Sequence, residues 1–146
     1  MTTTIELQQS IAAPIDRCWE HLRDLESHTT WMKDALAIEF LGEQTQGVGV
    51  TMRCKTRIGP FTTNDVMDVT LWEEGRQIGV AHRGMVTGEG VFTLNAQGSA
   101  TTLAWRESLH FGWLLGGLVG EIIAKPIMKR IWKANLQRFA QLVEGA

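Results

Sequence analysis

From residue 35 to residue 111 the chain repeats one pattern. Short runs alternate apolar and polar side chains, and a turn signal breaks them about every ten residues. The clearest run is 50–58. Val50, Met52, Cys54, Thr56 and Ile58 fall on one face, and Thr51, Arg53, Lys55 and Arg57 fall on the other. Successive strand residues point to opposite faces, so this run is a strand with one face in a core and one in water. Gly47-Val48-Gly49, Gly59-Pro60, Glu74-Gly75, Gly84 and Gly98 mark the breaks. The pattern predicts strands at 35–41, 50–58, 61–73, 76–83, 85–95 and 101–111, with no helix between them. Strands joined by short turns form an antiparallel meander.

A meander of this kind has an apolar face that must be covered. The ends of the chain supply the cover. Ile5, Leu7, Gln9 and Ile11 alternate with polar neighbours in a first strand over 2–11. Pro14 and Asp16 suit a helix start. Ile15, Cys18, Trp19, Leu22 and Leu25 then carry helical spacing to about residue 24. A second short helix or turn follows over 25–31. At the other end an apolar run broken by glycines, 111–120, feeds a long helix that contains Pro126. On a helical wheel Leu118, Val119, Ile122, Ile123 and Ile127 centre on one direction. Ile131, Trp132, Leu136, Phe139, Leu142 and Val143 centre on another. The C-terminal half is expected to dock on the sheet, and the first half to line a cavity mouth, with Pro126 near the switch. The whole of 1–146 reads as one α+β domain.

Composition narrows the function. Fourteen Lys and Arg against sixteen Asp and Glu give a net charge of −2 with both signs mixed, which argues against nucleic acid as a partner. Arg53, Lys55 and Arg57 make a short stripe that reads as a solvated face. No run approaches the ~18–20 apolar residues of a membrane span, so stable membrane insertion is not expected. The first residues carry no basic segment ahead of an apolar core, and a cytoplasmic location is the expectation. Cys18 and Cys54 fall on apolar faces and read as buried thiols. No Cys/His cluster suggests a metal, and no motif calls for a cofactor.

Alternation assigns Met52, Cys54, Met67, Val69, Ile78, Val80, Phe92, Leu94, Trp105 and Leu109 to the inner face. Asp65, His82 and Glu107 fall on the same faces. Burying a lone charge is costly unless it is paired. Either these groups sit at strand ends in water, or they point into a pocket and hydrogen-bond a ligand. Met52, Met67 and Met85 either pack the core or form an adaptable lining. Trp105 and Trp113 are the candidates for stacking on a ligand, whereas Trp19, Trp72 and Trp132 read as structural. The candidate ligand-binding set is Met52, Cys54, Asp65, Met67, His82, Phe92, Trp105, Glu107, Trp113, Leu118 and Ile122. Were the protein an enzyme, His82, Glu107 and Asp65 would supply its acid and base. There is no nucleophile elbow and no phosphate-binding glycine spacing.

Several segments carry a family likeness. Residues 11–19 (Ile-Ala-Ala-Pro-Ile-Asp-Arg-Cys-Trp), Asp24 followed by Trp31, Gly47-Val48-Gly49, Trp72-Glu73-Glu74-Gly75-Arg76, and Gly98 to Leu103 resemble, in that order, motifs of the SRPBCC superfamily. That group includes START-like lipid carriers, the birch-pollen-allergen fold and the polyketide cyclase/dehydrase family. The resemblance covers nearly the whole chain. It implies a helix-grip fold: a curved seven-stranded antiparallel sheet wrapped around a long C-terminal helix, with two short helices after the first strand and a cavity between. It also implies binding of lipids, polyketides, quinones or similar molecules. Aromatase/cyclase relatives use arginine, serine and tyrosine in the cavity. This chain has no tyrosine, and Arg53, Arg57 and Arg106 fall on the outer face, so those roles do not carry over.

The expected function is binding of a small hydrophobic ligand, as carrier or sensor. A cyclase/dehydrase-type enzyme is one alternative. A protein- or membrane-interaction module acting through the apolar flap at 111–120 is another, and a homodimer through Trp113 and Leu114 is an arrangement that flap allows.

Overall fold

The computed structural model describes residues 2–112 and 117–145, leaving aside the side chains at 117–119 and 121. The chain opens with β1 (Thr3–Ile11), α1 (Ile15–Leu22) and a 3₁₀ turn (Leu25–Thr30). Six strands follow: β2 (Ala35–Phe40), β3 (Thr51–Ile58), β4 (Phe61–Glu73), β5 (Gln77–Arg83), β6 (Val86–Gln97) and β7 (Ala100–Phe111). The last element is α2 (Gly117–Gly145). All strands join one seven-stranded antiparallel sheet in the order β1-β7-β6-β5-β4-β3-β2. β2 to β7 are thus the expected meander. β1 returns to pair with β7, placing Ile5 opposite Glu107 and Leu7 opposite Trp105. The fold is the helix grip: a curved sheet with the long helix against its inner face.

Local chemistry explains the joints. Pro14, in extended backbone, caps α1, and its carbonyl accepts from the Cys18 amide at 3.2 Å. Trp19 of α1 and Trp72 of β4 meet edge to face at 5.4 Å. Both donate their indole N–H to Glu74, at 3.0 and 2.9 Å, which ties α1 to the β4–β5 turn. Strict alternation along β4 would put Leu71 on the inner face with Met67 and Val69, yet it is 37% exposed. The register of β4 against β5 shifts between Val69 and Leu71, and such a bulge turns the residues beyond it over.

The inner face divides into two halves. In one, Leu136, Phe139, Ala140 and Val143 of α2 close with Ile11, Leu22, Leu94 and Leu103 into a solid core, every one of them buried. Arg138 on the same helix donates to the Trp31 carbonyl at 3.0 Å and to Asn135. In the other half, α2 stands off the sheet. Met128 and Trp132 continue its buried stripe, while Ile123 and Ile127 are 60% and 48% exposed at the rim.

Candidate functional site

The half that α2 leaves open encloses a cavity of about 530 Å³. That volume suits a drug-sized molecule, for which sites run from about 300 to about 1,000 Å³. The sheet supplies most of the wall. Met52, Cys54, Met67, Ile78, Val80 and Phe92 line it, as alternation expects, and Ile123, Ile127, Met128 and Trp132 close it from α2. Asp65, His82 and Glu107 also line it. They do not sit at wet strand ends: Asp65 and Glu107 are 7% and 5% exposed, and the His82 side chain is 14% exposed.

Two glycines build the polar part of the site. β5 and β7 flank β6, so their side chains start about 10 Å apart, two strand spacings. Yet His82 Nε2 of β5 and Glu107 Oε2 of β7 are 3.0 Å apart. The inner face of β6 is bare between them. Gly88 pairs with His82 and Leu109, and Gly90 pairs with Val80 and Glu107. A Cβ at Gly90 would lie 2.1 Å from Glu107 Oε1, so any side chain there would occupy the carboxylate's place. Gly88 adopts φ +143°, and a Cβ on it would meet the Ser108 carbonyl oxygen at 1.9 Å. Glycines two apart on one strand face therefore open a window through which a histidine and a glutamate meet. Sequence reasoning passed over Thr87-Gly88-Glu89-Gly90, although glycine at alternate positions of a strand is a legible sign of close approach.

Each oxygen of the Glu107 carboxylate has a partner. Its Oε1 accepts from Trp105 Nε1 at 3.0 Å while Oε2 faces His82. A carboxylate only accepts, so His82 Nε2 carries the proton of that bond. Burial pushes the His82 pKa down. The hydrogen bond to Glu107, its charge and that of Asp65 together outweigh burial, so the net shift is upward. Trp105 in turn stacks on Trp132, with centroids 4.8 Å apart and planes 23° from parallel. Trp132 Nε1 donates to Asp34 Oδ2 at 3.1 Å, and Asn135 Nδ2 donates to Asp34 Oδ1 at 2.7 Å. Two stacked indoles, each pinned by a buried carboxylate, thus form one wall. Trp132, read from the sequence as structural, is buried in the core and also lines the cavity, because α2 stands off the sheet at that turn.

Asp65 accepts from Thr63 Oγ1 at 3.1 Å and from the Met85 amide at 3.3 Å. Buried His28 is held neutral: burial lowers its pKa to about 4, and its Nε2 lies 2.7 Å from the Leu22 carbonyl. Burial, with a smaller push from Asp65, raises the Cys54 thiol to about 11. The thiolate is the reactive form. At neutral pH native Cys54 is therefore expected to resist iodoacetamide over hours and to label rapidly in denaturant. Rapid native labelling, read by mass spectrometry, would contradict that burial.

Some expected positions fall elsewhere. Trp113 and the Leu118 side chain lie outside the described residues, as does most of the flap. Ile122 is 64% exposed and is not part of the cavity wall; its neighbour Ile123 is. Met85 is 48% exposed and also off the wall, whereas Met32 and Met128 are on it. Asp34 and His28 line the cavity as well and were not anticipated.

The sequence profile described as polyketide cyclase / dehydrase and lipid transport matches residues 2–144. The chain belongs to this family. No curated protein matches its sequence. Among solved structures, TTHA0849 from Thermus thermophilus is similar at TM-score 0.83 and 16% identity, covering 98% of each chain. The Zhui aromatase/cyclase from Streptomyces sp. R1128 is similar at TM-score 0.80 and 19% identity, over 99% of this chain and 94% of that one. A truncated norcoclaurine synthase from Thalictrum flavum is similar at TM-score 0.74 and 16% identity, over 98% and 94%. Identities this low speak for the shared fold. Membership of the polyketide cyclase / dehydrase and lipid transport family points to hydrophobic-ligand binding or to cyclase-type chemistry. Among the described residues of this family member, no helix is long and apolar enough to cross a membrane.

Proposed function

We propose that the domain binds a small hydrophobic molecule in its cavity and acts as a carrier or sensor. The supporting observation is a hollow of about 530 Å³ with apolar walls and a few fixed polar groups. That combination gives affinity by burial and orientation by hydrogen bonding. A ligand burying about 300 Å² of apolar surface gains about 7 kcal/mol before the costs of ordering. Binding is tested with Nile red, an uncharged probe whose emission rises in apolar surroundings. A saturable one-to-one rise is expected. Val80→Trp, which places an indole in the hollow, should weaken it by about ten-fold or more. Absence of saturation, or identical binding by a folded Val80→Trp protein, overturns the reading. Native mass spectrometry of freshly purified protein then identifies any co-purifying molecule.

One observation favours a second reading. The His82–Glu107 pair, largely buried and fixed on the cavity wall, is suited to proton transfer, so cyclase- or dehydratase-type catalysis is the alternative. It requires turnover of a polyketide substrate that disappears in His82→Ala. Turnover unchanged in that variant rejects it.

A further inference from the structure

We infer that the cavity selects a hydrophobic cation, an ammonium-bearing molecule, over a carboxylate of the same shape, with Asp65 as its counter-ion. This deepens the ligand-binding reading above and rests on it. Apart from His82, which is paired with Glu107, the side chains on the wall that can carry a charge at neutral pH are acidic. Asp34, Asp65 and Glu107 line the cavity, and no lysine or arginine does among the described residues. Of the two histidines on the wall, His28 is spent on the Leu22 carbonyl, and His82 is committed to Glu107 at 3.0 Å. A carboxylate entering this space finds no free positive partner: His82 offsets Glu107, and Asp34 and Asp65 remain as carboxylates without an ion-pair partner among the described residues. In a low-dielectric pocket that arrangement works against an anion and in favour of a cation.

Asp65 acts on His82 only through its charge and is a wall carboxylate with no ion-pair contact of its own among the described residues. Asp68, on the opposite face of β4, is paired with Arg83 at 2.6 Å. Glu107 has His82. Asp65 is 7% exposed, yet its partners are a hydroxyl and a backbone amide, both neutral, and no cation pairs with it among the described residues. A carboxylate has about four lone-pair sites, and these bonds use two. Gly84 makes room for the group: a Cβ there would lie 2.0 Å from Asp65 Oδ1, so a side chain at 84 would displace the carboxylate. A buried charge is retained at a cost unless it is compensated, and a ligand ammonium compensates it while its apolar body fills the hollow.

Three probes with one naphthyl body separate the possibilities: naphthylethylamine, naphthylethanol and naphthylacetate, each titrated calorimetrically at neutral pH. The amine is expected to bind about ten-fold or more tightly than the alcohol, and the carboxylate to bind weakest. In Asp65→Asn the amine should fall to the level of the alcohol, with the alcohol changed by no more than about two-fold. Equal binding of the three probes overturns the cation preference alone, as does a carboxylate that matches the amine, or failure of all three where Nile red still binds. An amine advantage that persists in folded Asp65→Asn removes Asp65 from the role. Failure of all three together with Nile red overturns the ligand-binding reading instead. The wild-type rank order decides the preference even if Asp65→Asn does not fold.

Discussion

Trp132→Ala is expected to lose about 3–5 kcal/mol of stability and to melt about 10 °C or more below the wild type. The indole is 7% exposed and makes three kinds of contact at once. It stacks on Trp105 at 4.8 Å, donates to Asp34 at 3.1 Å, and forms part of the cavity wall from α2. Truncation removes apolar burial, and the space left cannot collapse, because the hollow already separates helix from sheet there. Asp34 keeps only Asn135 as a side-chain donor, at 2.7 Å. Trp132→Phe divides the terms. It retains a ring on Trp105 but gives up the Asp34 bond, so about 1–3 kcal/mol should go with the indole N–H. Thermal unfolding followed by circular dichroism reads both variants. A loss below about 1 kcal/mol in Trp132→Ala would place the ring outside any packed wall.

That residue also shows what the sequence can and cannot carry. Alternation has a period of two, so it places Met52, Cys54, Met67 and Val80 on the inner face without any knowledge of neighbours. It places Asp65, His82 and Glu107 there as well. It does not say that His82 and Glu107 touch, because that depends on cross-strand register and on what the intervening strand leaves out. Gly88 and Gly90 decide it, and their meaning appears only once each has known partners on both sides. The helical wheel is limited in another way. It gives a direction around α2 but not the distance from the helix to the sheet. Trp132 and Leu136 share a direction, yet one borders a hollow and the other a solid core. Ile122 and Ile123 differ by a single step around the axis, and that step separates solvent from the rim. Asp34 sits in a loop without periodicity, so its bonds to Trp132 and Asn135 had no sequence signal.

Glu107→Gln is expected to keep the fold and reverse the titration of His82. In the wild type, burial lowers the His82 pKa, and the hydrogen bond and charge of Glu107, with a smaller contribution from Asp65, raise it further than burial lowers it. Glutamine preserves the shape. Its oxygen still accepts from Trp105, and its amide donates to a neutral His82 that carries its proton on Nδ1. With the charge gone, burial dominates and the pKa falls below the ordinary value of about 6.5. The effect on stability has a definite sign. In the wild type the folded pKa lies above the unfolded one, so the contribution is complete below the unfolded value and is lost as pH rises through the folded one. In the variant the order is inverted, and stability is lost as pH falls. The gap between the two proteins should therefore widen from about pH 8 to about pH 5. It should reach about 1.5–3 kcal/mol, the worth of a hydrogen bond between charged partners. Gly90→Ala reaches the same end by another route, since its methyl takes the place of Glu107 Oε1 and parts the pair. Histidine NMR titration and melting curves across this pH range measure both. Parallel curves for wild type and Glu107→Gln, with His82 titrating unchanged, would mean that the two side chains are not joined through the glycine window.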